Sequence, residues 1–103
     1  SGWELQFSLW YLEQASDWRS ERLQAELKQL AEAMDVKIRD FLAPLFIAIS
    51  GRSVAPPLFD SMVVLGPDLT RARVRHALNT LGGVSKKQTK KLEAEYRQLG
   101  SAL

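Results

Sequence analysis

Few residues in this chain could do chemistry, and each has a plainer role. His76 is the only histidine, the residue type most often used for general acid–base work. It lies on a helical stretch among Arg71, Arg73 and Arg75, with no serine or cysteine nucleophile that spacing would bring to it, so it reads as a surface or boundary residue. Asp60 and Asp68 could be imagined as paired carboxylates. Each, however, falls beside the start of a predicted helix, where an acid offsets the positive end of the helix dipole. Gly66, Gly82 and Gly83 lack the spacing, and the Lys-Ser/Thr partner, of a phosphate-cradling loop. With no cysteine, disulfide frameworks, zinc knuckles and iron–sulfur sites are excluded, and one histidine makes an ordinary metal site unexpected. The expectation is a non-catalytic chain with no metal ligands and no cofactor of its own.

Charge is the stronger signal. The net value is only +2, but residues 1–50 hold 5 basic and 8 acidic groups, whereas residues 51–103 hold 9 basic and 4 acidic. Between Arg71 and Lys91 stand seven basic residues and no acid: Arg71, Arg73, Arg75, Lys86, Lys87, Lys90 and Lys91. A one-sided field of that kind suits a polyanion, and a solvated surface helix or tail explains it as well. The four lysines crowd the first two turns of the last predicted helix, where positive charge is disfavoured by about 0.3–1 kcal/mol per group at low salt. Phosphate binding would offset that cost.

The elements that must position these groups are helical throughout. At 103 residues, 46% hydrophobic and 25% charged, the chain has room for one packed domain and is neither collagen-like nor disordered. No stretch reaches the ~18–20 apolar residues of a bilayer span, and no secretory signal is visible. Ser1-Gly2 reads as a cloning remnant, and the whole as a fragment of a larger cytoplasmic protein. Trp3, Leu5, Phe7, Leu9, Trp10, Tyr11 and Leu12 predict a first helix that is apolar over much of its circumference and needs partners on several sides. Ser20 is the expected cap of a second, with Leu23, Leu27, Leu30, Ala31 and Met34 as its stripe. A short helix over Ile38 to Leu42 is expected to give way at Pro44 to another ending at Ser50, with Gly51 as its left-handed stop. Residues 52–56 read as a loop. Pro57 opens a helix over Leu58 to Leu65, Gly66 ends it, and Pro67 starts one to Leu81 with Leu69, Val74, Leu78 and Leu81 inward and Arg71 and Arg75 outward. Ser85 caps a last helix with Leu92, Tyr96 and Leu99 as its seam. The sum is an all-α, compact bundle of about six short helices, in which residues 1–82 form the main domain and residues 83–103 a basic C-terminal helical extension.

Pro44-Leu45-Phe46-Ile47-Ala48-Ile49-Ser50-Gly51-Arg52, then Ala55-Pro56-Pro57-Leu58-Phe59-Asp60, then Leu65-Gly66, resembles the anticodon-binding region of bacterial glutamyl-tRNA synthetases. The upstream run from Trp18 to Val36 is similar to the helix that leads into it, so the resemblance covers about Trp18 to Leu81. It implies a helical-cage domain, and a parent enzyme of class I that uses ATP and magnesium to attach glutamate to its tRNA. It also implies that the loop before the Leu-Phe helix approaches the anticodon bases, at Ala55, Pro56 and Leu58 with Arg52, Ser53 and Val54 beside them. Arg71, Arg75, Lys86, Lys87, Lys90 and Lys91 would then hold phosphates, which position an RNA without specifying its sequence. On this reading Arg71→Ala or Lys90→Ala weakens all RNAs alike, and changes at Ala55 to Leu58 alter preference. The implied partners are a glutamate-specific tRNA, with glutamine tRNA left open, and the parent's catalytic domain; no membrane is implied, and a monomer is expected. The family usually has Pro-Leu-Arg where this chain has Pro44-Leu45-Phe46. Two rival readings stand beside it: a protein-interaction bundle using an exposed Trp-rich first helix, and a DNA-binding domain, for which Phe59 and Met62 to Leu65 are poor groove readers.

Overall fold

Helix α1 (Trp3–Gln14) has too little polar surface to lie on the outside of anything. Leu5, Phe7, Ser8, Leu9, Tyr11 and Leu12 are all buried, and they cover roughly half of the helix's circumference, with Trp3 and Trp10 partly buried beyond them. The other elements gather around it: α2 (Ser20–Ala33), α3 (Ile38–Ser50), α4 (Leu58–Thr80) and α5 (Lys86–Gly100). The structure is a computed structural model that describes residues 2–51, 57–80 and 84–100, and no strand occurs among them. Helix α1 packs on α3, α4 and α5, while α2 packs on α3 and α4. Trp3 sets its edge on Phe7 at 5.4 Å and tilts against Phe41 of α3 at 5.9 Å. Trp10 sits between Phe7 at 6.0 Å and Tyr96 of α5 at 5.4 Å. Both indoles are partly buried against the core, so the rival reading of an exposed tryptophan face loses its surface.

The α2 stripe is buried as its spacing predicts, with Leu23, Leu27, Leu30 and Ala31 at 0% exposure. Ser20, however, is the first helical residue and not the cap; extended Arg19 holds that position with no side-chain cap bond. The helix ends in a Schellman motif: the Val36 amide donates to the Ala31 carbonyl, and the Asp35 amide to that of Glu32. Asp35 occupies the left-handed position at φ 57°, where glycine is the usual choice. Between α1 and α2, Tyr11 Oη donates to Glu26 Oε1 at 2.7 Å, and burial together with that bond raises the phenol pKa well above its usual range.

Pro44 does not divide α3 as expected; one helix runs through it from Ile38 to Ser50. The ring removes the amide that would have served the Asp40 carbonyl. Phe41, Leu42, Leu45 and Ile49 nevertheless form one buried stripe across the proline. At about 1.5–3 kcal/mol per buried large side chain, that stripe outweighs a proline penalty of about 3 kcal/mol. Gly51 does stop the helix, in the left-handed region at φ 71°.

Helix α4 is two straight arms, residues 58–65 and 67–80, joined at Gly66 with φ 82° and ψ 167°. At the bend the Met62 carbonyl accepts from two side chains, Trp18 Nε1–H at 2.9 Å and Thr70 Oγ1 at 3.4 Å. Thr70 therefore turns inward at 0% exposure, and Leu69, expected inward, is 45% exposed. Val74 and Leu78 are buried as expected, and Leu81 lies outside the described residues. Five helices with one broken in two match the expected count closely.

Helix α5 begins as its sequence suggests, with Ser85 Oγ accepting from the Gln88 amide at 3.1 Å. It docks on α1 through Tyr96, whose ring lies edge-on to Phe7 at 5.3 Å. The Tyr96 hydroxyl is buried with no hydrogen-bond partner among the described residues. Burial first, then the charges of Glu13 and Glu26, push its pKa up to about 12. A phenol whose folded pKa lies above its unfolded value of 10.0 supports the fold below pH 10 and loses that support as the pH climbs toward 12. Tyr96→Phe is therefore expected to leave stability at pH 7 unchanged or raise it by up to about 1 kcal/mol, since an unsatisfied buried hydroxyl goes. The same variant should soften the alkaline decline. Urea melts at pH 7 and pH 11 test both statements, and a loss above about 1 kcal/mol at pH 7 would mean that the hydroxyl has a partner.

Candidate functional site

The expected reading loop spans the joint between α3 and α4. Its residues Arg52, Ser53, Val54, Ala55 and Pro56 lie outside the described residues. What the structure does describe is how both ends of the joint are held. On the α3 side the Gly51 amide donates to Ile47 O at 2.7 Å, and Ser50 Oγ donates to Phe46 O at 2.7 Å. Arg73 Nη1 reaches across from α4 to the Ile49 carbonyl at 2.6 Å. On the α4 side the Pro57 carbonyl accepts from both the amide and the hydroxyl of Ser61, at 3.0 and 2.9 Å.

Leu58 needs a correction. It is 3% exposed and belongs to the core, because the first turn of α4 must bury an anchor to hold the joint against the bundle. Its side chain cannot meet a base. Phe46, standing where the resembling family has arginine, packs its ring against the core.

Beside the joint an open groove of about 640 Å³ runs between the two helix ends. Ile49, Pro57, Leu65 and Val64, the last 86% exposed, give it an apolar wall. Asp60, Ser61, Ser50 and Arg73 give it donors and acceptors. That mixture accepts a flat, partly polar group at the surface.

The basic strip expected over residues 71–91 is not one strip. Arg71 faces inward: Nε donates to Leu12 O at 2.8 Å and Nη2 to Ala15 O at 3.3 Å, and the guanidinium lies 5.3 Å from the Trp18 ring centroid. It satisfies the orphan carbonyls at the end of α1, where a cation also meets the negative end of the helix dipole. With its side chain 21% exposed, Arg71 is not a free phosphate contact. Arg75 remains half exposed but is paired with Glu13 at 2.9 Å. His76 is exposed, near Thr80.

Lys86, Lys87, Lys90 and Lys91 are all exposed, and none makes an ion pair with another described residue. At about 100° per residue they fall roughly opposite the seam of Leu92, Tyr96 and Leu99 that meets the bundle. The cations thus lie away from that seam, and Lys91 also borders a groove with Trp3 and Met34. Helix α5 packs on α1, while the joint lies between α3 and α4. Among the described residues no acid or histidine cluster could hold a metal ion, and no helix is long and apolar enough to cross a membrane.

Sequence reasoning missed Arg73, Trp18 and Thr70, whose partners are all backbone carbonyls. An acceptor of that kind leaves no mark on the residue types.

A family model described as an anticodon binding domain matches residues 4–78. Among curated proteins, the chain is 55% identical over 95 residues to a glutamate–tRNA ligase of Alcanivorax borkumensis, covering 92% of the chain and 19% of that relative. It is 51% identical over 96 residues to the glutamate–tRNA ligase of Marinobacter nauticus, covering 93% of the chain and 20% of the relative. For that of Marinomonas sp. the figures are 50% over 95 residues, 92% and 19%. The chain thus spans about a fifth of the length of the curated relatives it matches. A 95-residue match within 103 residues cannot end before residue 95, so it takes in most of α5, past the end of the family model.

Proposed function

The chain belongs to the anticodon binding domain family, and we propose that it is the part of a glutamate–tRNA ligase that reads the anticodon of the tRNA. The observation that carries this reading is that the family match includes the whole α3–α4 joint, whose described ends are both held, beside a groove of mixed polarity. Specific RNA recognition works on unstacked, single-stranded bases, and a loop with fixed ends loses little entropy in meeting them. Arg52, Ser53, Val54, Ala55 and Pro56 are the proposed base-reading positions, with Leu58 anchoring the loop from the core. The phosphate contacts are Lys86, Lys87, Lys90 and Lys91, with Arg75 in reserve behind its pairing to Glu13.

In the parent enzyme, glutamate would be activated with ATP and magnesium by other domains and then transferred to the tRNA end. This chain is proposed to work beside the parent's catalytic domain, in a monomeric enzyme in the cytoplasm, and to hold neither ATP nor metal itself.

Titration with anticodon stem-loops, native and base-substituted, at two salt concentrations tests the reading. Stem-loops of glutamate and glutamine tRNAs in parallel settle how far tolerance extends. Binding is expected to be weak, because most of the relatives' length is absent. Lys90→Ala should weaken every stem-loop alike and reduce the salt slope by about 0.7, the value for one contact to a single-stranded phosphate. Substitutions at Ala55 or Pro56 should change the order of preference and leave the slope alone. Binding indifferent to both salt and anticodon sequence would remove the proposal.

A further inference from the structure

We propose that the groove between the start of α1 and the lysine-bearing turns of α5 holds one unstacked purine of a bound RNA, with Trp3 as its stacking surface and Lys87 and Lys91 on the adjoining phosphate. The inference rests on RNA being the partner proposed above, and it adds a base contact made by residues other than those of the α3–α4 joint.

The groove is about 410 Å³, and Trp3, Met34, Val84 and Leu92 give it an apolar lining, with Gln88, Lys91 and Glu95 as its polar members. That size falls within the ~300–1,000 Å³ of sites that take small organic groups. Three elements meet there: the first residue of α1, the residue that closes α2 and one side of α5. Phe7 at 5.4 Å and Phe41 at 5.9 Å hold the Trp3 indole, so an entering ring meets a surface that is already positioned. The indole is only partly buried by these contacts.

Charge decides which kind of ring. At about 100° per residue, Val84, Gln88, Lys91, Leu92 and Glu95 fall on one side of α5, and Lys87 follows about 40° beyond Lys91. Neither lysine makes an ion pair with another described residue. An aromatic surface bordered by unpaired cations is what single-stranded nucleic acid uses, the ring for a base and the cations for the backbone. Glu95 disfavours a phosphate inside the groove, so the anion stays at the border and the base goes in. Gln88 offers an amide donor and acceptor, and Glu95 a carboxylate acceptor. Together they suit a purine with an exocyclic amino group.

Two short single-stranded oligomers test this: an oligoadenylate, and an abasic oligomer with the same number of phosphates. The chain should bind the oligoadenylate about five- to 150-fold more tightly, the range for stacking one base on an aromatic ring. Indole N–H signals in a proton–nitrogen spectrum locate the contact. Trp3→Phe, which keeps a ring beside Phe7 and Phe41, identifies the Trp3 signal. That signal should move with oligoadenylate and not with the abasic oligomer, while those of Trp10 and Trp18 stay in place with both. Trp3→Leu should remove the preference and leave the salt slope as it was, since no charge is lost. Lys91→Gln should reduce the slope by about 0.7 for both oligomers and keep their ratio. The spectrum of the unsubstituted chain decides the matter even where Trp3→Leu fails to fold. Equal affinity for the two oligomers would overturn the inference, leaving the lysines as a plain phosphate surface and the groove to a protein segment of the parent. A shift at Trp10 or Trp18 in place of Trp3 would overturn it too. If neither oligomer nor any stem-loop binds, RNA is the wrong partner and the proposed function fails first. Anticodon discrimination with an unmoved Trp3 signal sinks the groove alone.

Discussion

Replacing Arg71 with alanine is expected to lower the unfolding free energy by about 2–4 kcal/mol, from two bonds given by a charged donor and one stacking contact. The cost arises at the end of α1. Leu12 and Ala15 present carbonyls with no helical partner, and Arg71 is the side chain that serves both. Its fork can bridge the two because guanidinium donors are fixed in one plane. Arg71→Lys should recover less than half of the loss. Urea unfolding at pH 7 reads the effect as a lower midpoint at constant slope. Combining Arg71→Ala with Trp18→Phe should give less than the sum of the two losses, since the ring and the guanidinium share one contact. An undiminished midpoint in Arg71→Ala, coupled with a lower salt slope for RNA, would return Arg71 to the surface role its sequence position suggests.

Gly66→Ala is expected to cost about 1–3 kcal/mol, which for a domain near this size is a fall in melting temperature of roughly 5–20 °C. The reason is backbone conformation and not crowding. A Cβ built at Gly66 meets no atom within 4 Å, yet φ 82° with ψ 167° is a region essentially reserved for glycine. An alanine forced toward helical angles would straighten α4 and disturb the contacts of Trp18 and Thr70 with the Met62 carbonyl across the bend. Thermal melts followed by circular dichroism test this directly. A melting temperature that does not move would show that the joint tolerates another conformation.

The parts of this fold that could be read beforehand were those whose cause lies within a few residues. The α2 stripe, the stop at Gly51, the cap at Ser85 and the breaks at Pro57 and Gly66 all have local causes, and all are present. The errors have distant causes. Pro44 looked like a boundary because its penalty is local, while the buried stripe that overrides it depends on α1 and α4. Leu69, read as inward, is exposed, and its neighbour Thr70 is buried instead, with its hydroxyl on the Met62 carbonyl eight residues back across the bend. Asp35 took a glycine's conformation with no signal in its type.

The site was legible in a similar, partial way. The position of the joint followed from Gly51 and Pro57, and the outward lysines of α5 from their spacing. Arg71 and Arg75, one turn apart, looked equivalent. Only the packing of α1 against α4 shows that one finishes a helix and the other pairs with Glu13 at the surface.

The carbonyl at Met62 has an implication for how such a chain can change over generations. One acceptor is shared by Trp18 and Thr70, and it lies beside the bend at Gly66 that sets the two arms of α4. The three positions are 18, 66 and 70, far apart in sequence, yet selection cannot treat them as separate choices. A neutral path through sequence space must replace them in concert, so each constrains the substitutions its neighbours can survive.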